Sequence, residues 1–121
     1  MSLRPRLHHV SVPRPPGSHD AARAFYGTLL NFTEVAPPAS LGHLDLVWFQ
    51  LGDTELHLFV GLPAPPESGA HLCIEVADVA ALRARLDVAG HSTGDADEIP
   101  GRPRFFCHDP FGNLLEFTTL V

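Results

Sequence analysis

Apolar residues in this chain fall in short runs with strand alternation, broken twice by a longer stretch at helical spacing. Leu7 to Val12 predicts a strand, ended by the Pro13 to Gly17 loop, whose three prolines cannot donate to a sheet. Ser18 is a good N-cap, and Asp20 suits the positive end of the helix that follows. In that helix Ala22, Phe25, Tyr26 and Leu29 form one stripe with Arg23 facing away, and Asn31 is a left-handed stop. Phe32 to Val35 gives a second strand before Pro37 and Pro38. Leu44 to Leu51 and Thr54 to Val60 are strands joined by a hairpin turn at Gly52-Asp53.

Gly61 to Gly69, with three prolines, is linker-like, and after it the order repeats. Ala70 to Val76 reads as a strand. Asp78 caps a helix striped by Val79, Leu82, Leu86 and Ala89, with Gly90 as its stop. A weak strand follows near Asp97 to Ile99. Arg104 to Phe117 then reads as two strands around a tight turn, in which Asp109-Pro110 starts the reversal and Gly112-Asn113 tolerates positive φ. Both halves are β-α-β-β-β, an internal repeat of about sixty residues. The expected fold class is α+β: two tandem βαβββ modules, about residues 6–60 and 70–120, within a single domain spanning 1–121.

At 121 residues with 45% apolar and 18% charged positions, the chain has the composition of an ordinary soluble globular domain. A formal net charge of -6 argues against a nucleic-acid or anionic-membrane partner, either of which needs a basic patch. Met1 to Arg6 has no apolar signal core and no run reaches a transmembrane length, so a cytoplasmic location is expected. Cys73 and Cys107 fit no metal-binding spacing and are expected to be small buried residues. Eight histidines lean the composition towards chemistry.

The repeat sharpens that lean. His9 and His57 lie on the first and last strands of the first half, and His71 and Glu116 on the first and last strands of the second. Strands present alternate residues to one face, so if these four strands line one concave sheet, all four side chains converge. Three histidines and a carboxylate, or two histidines with Glu116, suit Zn²⁺, Fe²⁺, Mn²⁺, Ni²⁺ or Co²⁺. A carboxylate between Leu115 and Phe117 is costly to bury unless something cationic meets it.

The segments Leu7-His8-His9-Val10, Ala22 to Tyr26, Trp48 to Phe59 with Glu55-Leu56-His57-Leu58, Ala70-His71-Leu72, and Phe106 to Phe117 with Asp109-Pro110-Phe111-Gly112-Asn113 together resemble the vicinal oxygen chelate superfamily. That superfamily holds glyoxalase I, the extradiol dioxygenases, the fosfomycin-resistance enzymes and the bleomycin-binding proteins. The resemblance implies a cupped, barrel-like mixed sheet with helices outside and a divalent metal held by His9, His57, His71 and Glu116. It also implies a homodimer, whose modules can be exchanged between subunits, and a small substrate chelated through adjacent oxygens by a lyase, isomerase or dioxygenase. Glyoxalase I usually has Glu where this chain has His57, which argues against a methylglyoxal activity; the ligand sets of the dioxygenases and fosfomycin enzymes resemble His9, His71 and Glu116, leaving His57 as a fourth ligand or as an acid/base beside the metal. The catalytic candidates are then His57 and Glu116. The alternative that the resemblance carries is a metal-free drug-binding protein of the bleomycin-resistance kind.

Other polar residues have plainer readings. His8 is read as a non-ligand facing away from His9, His19, His43 and His91 as solvated, and His108 as structural. Glu55 and Glu75 share strand faces with His57 and His71; either orients an imidazole or reaches solvent, and solvent is favoured. Trp48, Phe49, Phe59, Phe105 and Phe106 are mostly core, with Trp48 and Phe106 as candidates for lining a substrate pocket. Arg104 binds a substrate carboxylate or makes a surface pair, and Arg102 is the other obvious anion contact.

Overall fold

The computed structural model describes residues 1–120 and divides into two compact units, Met1–Leu62 and Pro63–Val121. The first unit comprises β1 (His9–Arg14), α1 (His19–Ala22) continuing as a π-helix (Arg23–Leu29), β2 (Thr33–Val35), β3 (Val47–Leu51) and β4 (Thr54–Val60). The second comprises β5 (Leu72–Glu75), α2 (Val79–Val88), β6 (Thr93–Asp95), β7 (Arg104–His108) and β8 (Leu114–Thr118). Each unit holds one four-stranded sheet, in the orders β1-β4-β3-β2 and β5-β8-β7-β6. In both, the first and last strands of the module pair in parallel and the remaining pairs are antiparallel. These are two βαβββ modules, as the repeat predicts. Among the described residues no helix is long and apolar enough to cross a membrane.

Pleating sorts each sheet into two faces. In the first unit Val12, Val47, Phe49, Leu56 and Leu58 point under the helix and are buried against Ala22, Phe25 and Tyr26. The Tyr26 ring lies 5.8 Å from Phe49 and 4.9 Å from Phe25. Arg23 faces out, as expected, and its guanidinium meets Glu34 at 2.9 and 3.1 Å. That contact raises the pKa of Arg23 and ties the helix to β2. In the second unit Ile74, Phe105, Cys107, Leu115 and Phe117 pack with Val79 and Leu86 of α2. The opposite faces carry His9, Trp48, Glu55 and His57 in one unit, and His71, Cys73, Arg104, Phe106 and Glu116 in the other.

Several local expectations are corrected. The first strand does not stop at Pro13 but runs to Arg14, because β1 is the end strand of its sheet and pairs only with β4, so a missing N–H is tolerated. Ser18 does not cap α1 with its side chain. Its hydroxyl donates to Pro15 O at 2.6 Å and accepts from Arg14 at 3.1 Å, a use that only tertiary structure could reveal. The weak strand lies at Thr93–Asp95 rather than Asp97 to Ile99. Ala89 on the α2 stripe is exposed. Asn31 is the left-handed stop, with φ 62, and Asp78 caps α2 by accepting from Ala81 N–H at 3.0 Å.

Arg14 is an unexpected core residue, fully buried on the helix side of β1. It is ion-paired with Asp45, which also meets His19 Nε2 at 2.7 Å, so His19 is engaged rather than solvated. In the other unit the turn after β7 is organised by Asp109. Its Oδ1 accepts from Phe111 and Asn113 N–H, each at 2.9 Å, and its Oδ2 accepts from the Asn113 amide at 2.8 Å. Gly112 sits at φ 91, where a side chain would be strained. This turn fixes the β7–β8 register that pairs Phe106 with Glu116.

Candidate metal-binding and acid–base residues

The first unit presents a stack of rings. His57 on β4 is opposite Trp48 on β3, and their rings are parallel, with centroids 3.6 Å apart and planes 2° apart. His9 covers the other face of His57, with centroids at 4.2 Å and planes 17° apart. His57 Nε2 meets Glu55 Oε1 at 2.8 Å. Glu55 therefore does not simply reach solvent: it orients the His57 imidazole, the option that strand parity left open. His9 Nδ1 lies 2.9 Å from His8 Nδ1, so the two neighbours touch instead of facing apart. A metal ion lies in the plane of each imidazole that binds it, about 2.1 Å from the nitrogen. Two nearly parallel stacked planes share no such point, so in this arrangement His9 and His57 stack rather than converge.

In the second unit Glu116 is almost completely buried on β8, and its two oxygens are treated differently. Oε1 faces His71 Nε2 at 3.0 Å, while Oε2 accepts from Arg104 at 3.2 Å and lies 3.6 Å from Arg102. Arg104 is itself clamped, because its Nε and second amino group donate to Asp97 O at 3.2 and 2.9 Å. Its guanidinium lies 5.7 Å over Phe106, whose ring stands nearly perpendicular to that of His71, with centroids 5.3 Å apart. Burial pushes the Glu116 carboxyl up, but the hydrogen bond and charge of Arg104, with His71 acting in the same direction, outweigh it and hold the group below its ordinary range.

His71 carries the most telling geometry. Its Nδ1 is 2.7 Å from Gly69 O, and a carbonyl can only accept, so that nitrogen bears hydrogen. In the neutral ring Nε2 is then a lone pair aimed at a carboxylate oxygen. Two acceptors at 3.0 Å need something positive between them, either a proton or a cation. A backbone carbonyl on one histidine nitrogen with the other turned to a carboxylate is also how metal-binding imidazoles are oriented. The donor chemistry of His71 and Glu116 thus fits a divalent ion. Among the described residues no group of three or more His, Cys, Asp or Glu side chains is gathered for a metal, so this pair is a partial ligand set.

The remaining candidates separate by burial. Phe49 and Phe105 are core, Trp48 and Phe106 are half-buried on the faces that carry the histidines, and Phe59 is 40% exposed. Arg104 makes neither a surface pair nor a free anion contact, since Glu116 and Asp97 occupy it. Glu75, His43 and His108 are exposed. Cys107 is buried as expected, which pushes its thiol up to about 11. Cys73, by contrast, is exposed beside Glu116 in the β5–β8 register, because its side of the sheet is not covered by α2.

The sequence model of the Glyoxalase/Bleomycin resistance protein/Dioxygenase superfamily matches residues 6–117. Among solved structures, a glyoxalase family protein from Bacillus anthracis is 30% identical, with a TM-score of 0.90 over 100% of this chain and 99% of that one. Lactoylglutathione lyase from Agrobacterium tumefaciens is 20% identical, with a TM-score of 0.74 over 98% and 96% of the two chains. TnmS3, an antibiotic binding protein from Streptomyces sp. CB03234, is 23% identical, with a TM-score of 0.77 over 100% of both. The last two likenesses are of fold alone. No curated protein matches the sequence.

Proposed function

The chain belongs to the Glyoxalase/Bleomycin resistance protein/Dioxygenase superfamily, and from that premise we propose that it is a divalent-metal-dependent enzyme of lyase, isomerase or dioxygenase type. Its substrate is a small molecule engaged through adjacent oxygens. The observation that carries this reading is the His71–Glu116 pair, with an imidazole nitrogen and a carboxylate oxygen facing each other at 3.0 Å. A divalent ion bound there supplies Lewis-acid polarisation of the substrate oxygens.

The chain's own residues have distinct parts in this reading. Glu116 and His71 hold the ion. Gly69 O fixes the His71 tautomer, and Arg104 fixes the Glu116 rotamer through Oε2. His57 is assigned the acid/base part rather than that of a fourth ligand, because Glu55 orients its Nε2 and the Trp48 and His9 rings hold its plane. Glu55 is then a positioning residue. The half-buried Trp48 and Phe106 line the faces that meet substrate.

The second reading, a metal-free binding protein, is favoured by one observation: the Arg104 guanidinium already balances Glu116. In that reading a proton sits between His71 and Glu116, and the Trp48–His57–His9 stack serves a flat ligand. Metal analysis separates the two. Protein purified without added metal, and the same protein reloaded with Zn²⁺, Ni²⁺, Fe²⁺, Mn²⁺ or Co²⁺, is expected to hold a stoichiometric ion. His71→Ala and Glu116→Ala are expected to lose it, and His9→Ala shows whether His9 joins the set. A folded wild type that takes up none of these ions overturns the enzyme reading. The pairing of two chains is part of the same proposal, and light scattering in solution measures it.

A further inference from the structure

The two arginines beside Glu116 are not equivalent. Arg104 is only 16% exposed, and its donors are taken by Glu116 and Asp97 O. Arg102 is 41% exposed, and its guanidinium meets Glu116 Oε2 at 3.6 Å, beyond hydrogen-bonding distance. It also lies beside the Cys73 thiol. One carboxylate therefore faces two guanidinium groups, and Arg104 already satisfies it. Glu75 shares this face of the sheet but is exposed and makes no ion pair among the described residues, so solvent screens it. The surplus positive charge sits on Arg102, in a chain whose net charge is -6. A divalent ion at His71 and Glu116 would enlarge that surplus.

We infer that Arg102 receives an anionic group of the substrate, and that the substrates are small carboxylates with an oxygen next to the acid group, such as 2-oxo and 2-hydroxy acids. A planar guanidinium with free donors matches a carboxylate two-to-two, and the vicinal oxygen would be left for the metal-holding pair. This deepens the proposed function and rests on it for where the substrate enters. It also transfers to Arg102 the carboxylate-binding part that the sequence offered to Arg104.

The probe is pyruvate, set against its neutral amide, pyruvamide, and against inorganic phosphate. Each is titrated at pH 7.5 into isotopically labelled protein, as purified and after metal loading, with amide shifts around Gly101 to Phe106 as the readout. Pyruvate is expected to give saturable shifts there, and Arg102→Gln is expected to weaken it about tenfold. Arg102→Lys should recover part of the loss. Arg6→Gln removes the same charge from an exposed pair with Asp53 and should change nothing. Equal binding of pyruvamide, tighter Arg102-dependent binding of phosphate, or an equal loss in Arg6→Gln overturns the inference, even if the metal is present. Pyruvate binding that depends on Arg102 in protein holding no metal upholds it and overturns the metal reading instead.

Discussion

Removing the carboxylate of Asp45 tests how the first module tolerates a cation in its core. Arg14 is 0% exposed and lies on the helix side of β1. Its terminal nitrogens meet Asp45, Ser18 Oγ at 3.1 Å, Pro15 O at 3.3 Å and His19 Nε2 at 3.4 Å, while Nε has no partner among the described residues. Stripping the partner from a fully buried ion costs about 3–5 kcal/mol. Here Asp45 is 34% exposed and two neutral acceptors remain, so Asp45→Ala is expected to cost about 2–3 kcal/mol. Arg14→Met keeps most of the stem, removes the charge and leaves Asp45 to turn to water, so it should cost about 1 kcal/mol. In the double variant no buried charge is left unpaired, and its stability should return to within about 1 kcal/mol of the wild type. Urea unfolding followed by fluorescence of the single tryptophan, Trp48, measures all four proteins. An Asp45→Ala loss below about 0.5 kcal/mol, or a double variant as unstable as the sum of the singles, would refute the argument.

Four further outcomes follow from local geometry. Hydrogen bonding from Arg14 holds the Asp45 carboxyl below its ordinary 3.8, so its stabilisation is complete above that value and is lost as pH falls through the lower folded one. Urea midpoints at pH 6 and pH 3 should therefore differ more for the wild type than for Asp45→Asn. In the native protein a thiol reagent at pH 8 should modify the exposed Cys73 and spare Cys107, which is buried and titrates only near 11; two fast thiols would contradict this. Asp109→Ala removes three hydrogen bonds and should cost about 3 kcal/mol, whereas Asp109→Asn keeps part of them; thermal melts rank the two. Gly112→Ala forces a side chain onto φ 91 and brings its Cβ to 3.4 Å from Pro63, which should cost about 1–2 kcal/mol by the same melts.

The repeat was legible because period and punctuation agreed: Asn31, Gly52, Asp78, Gly90 and the Asp109 turn all stand where the chain reverses. Strand parity also grouped Glu55 with His57 and Glu75 with His71, and each pair shares a face of its sheet. What escaped it was set by neighbours distant in sequence. Thr93–Asp95 is too short and too polar for a periodic signal, and it becomes a strand because β7 pairs with it. Its Thr93 hydroxyl donates to Asp87 and accepts from Arg83, both on α2. Glu55 was visible as sharing a face with His57, but its partnership depends on Trp48 holding the ring. Arg14 reads as a loop cation after Pro13 until β1 is extended by one strand partner, β4. Cys73 looked like core because an apolar strand does not reveal which of its faces a helix covers.

The pairing of first strand with last in each module has a consequence for how the chain acquires its structure. β1 and β4 lie side by side in register from His9↔Glu55 to Arg14↔Val60, and β5 and β8 do the same from Leu72↔Leu115. Each sheet is therefore closed by residues more than forty positions apart, and one of its two inner strands is the last to be synthesised. Neither sheet can gain its parallel ladder until the end of its module has emerged, so folding proceeds in two late, separate closures rather than by steady growth. Contacts of such long range make folding slow compared with a helical protein of this size. During synthesis the first module can close at Val60, while the second has no complete sheet until Thr118 leaves the ribosome.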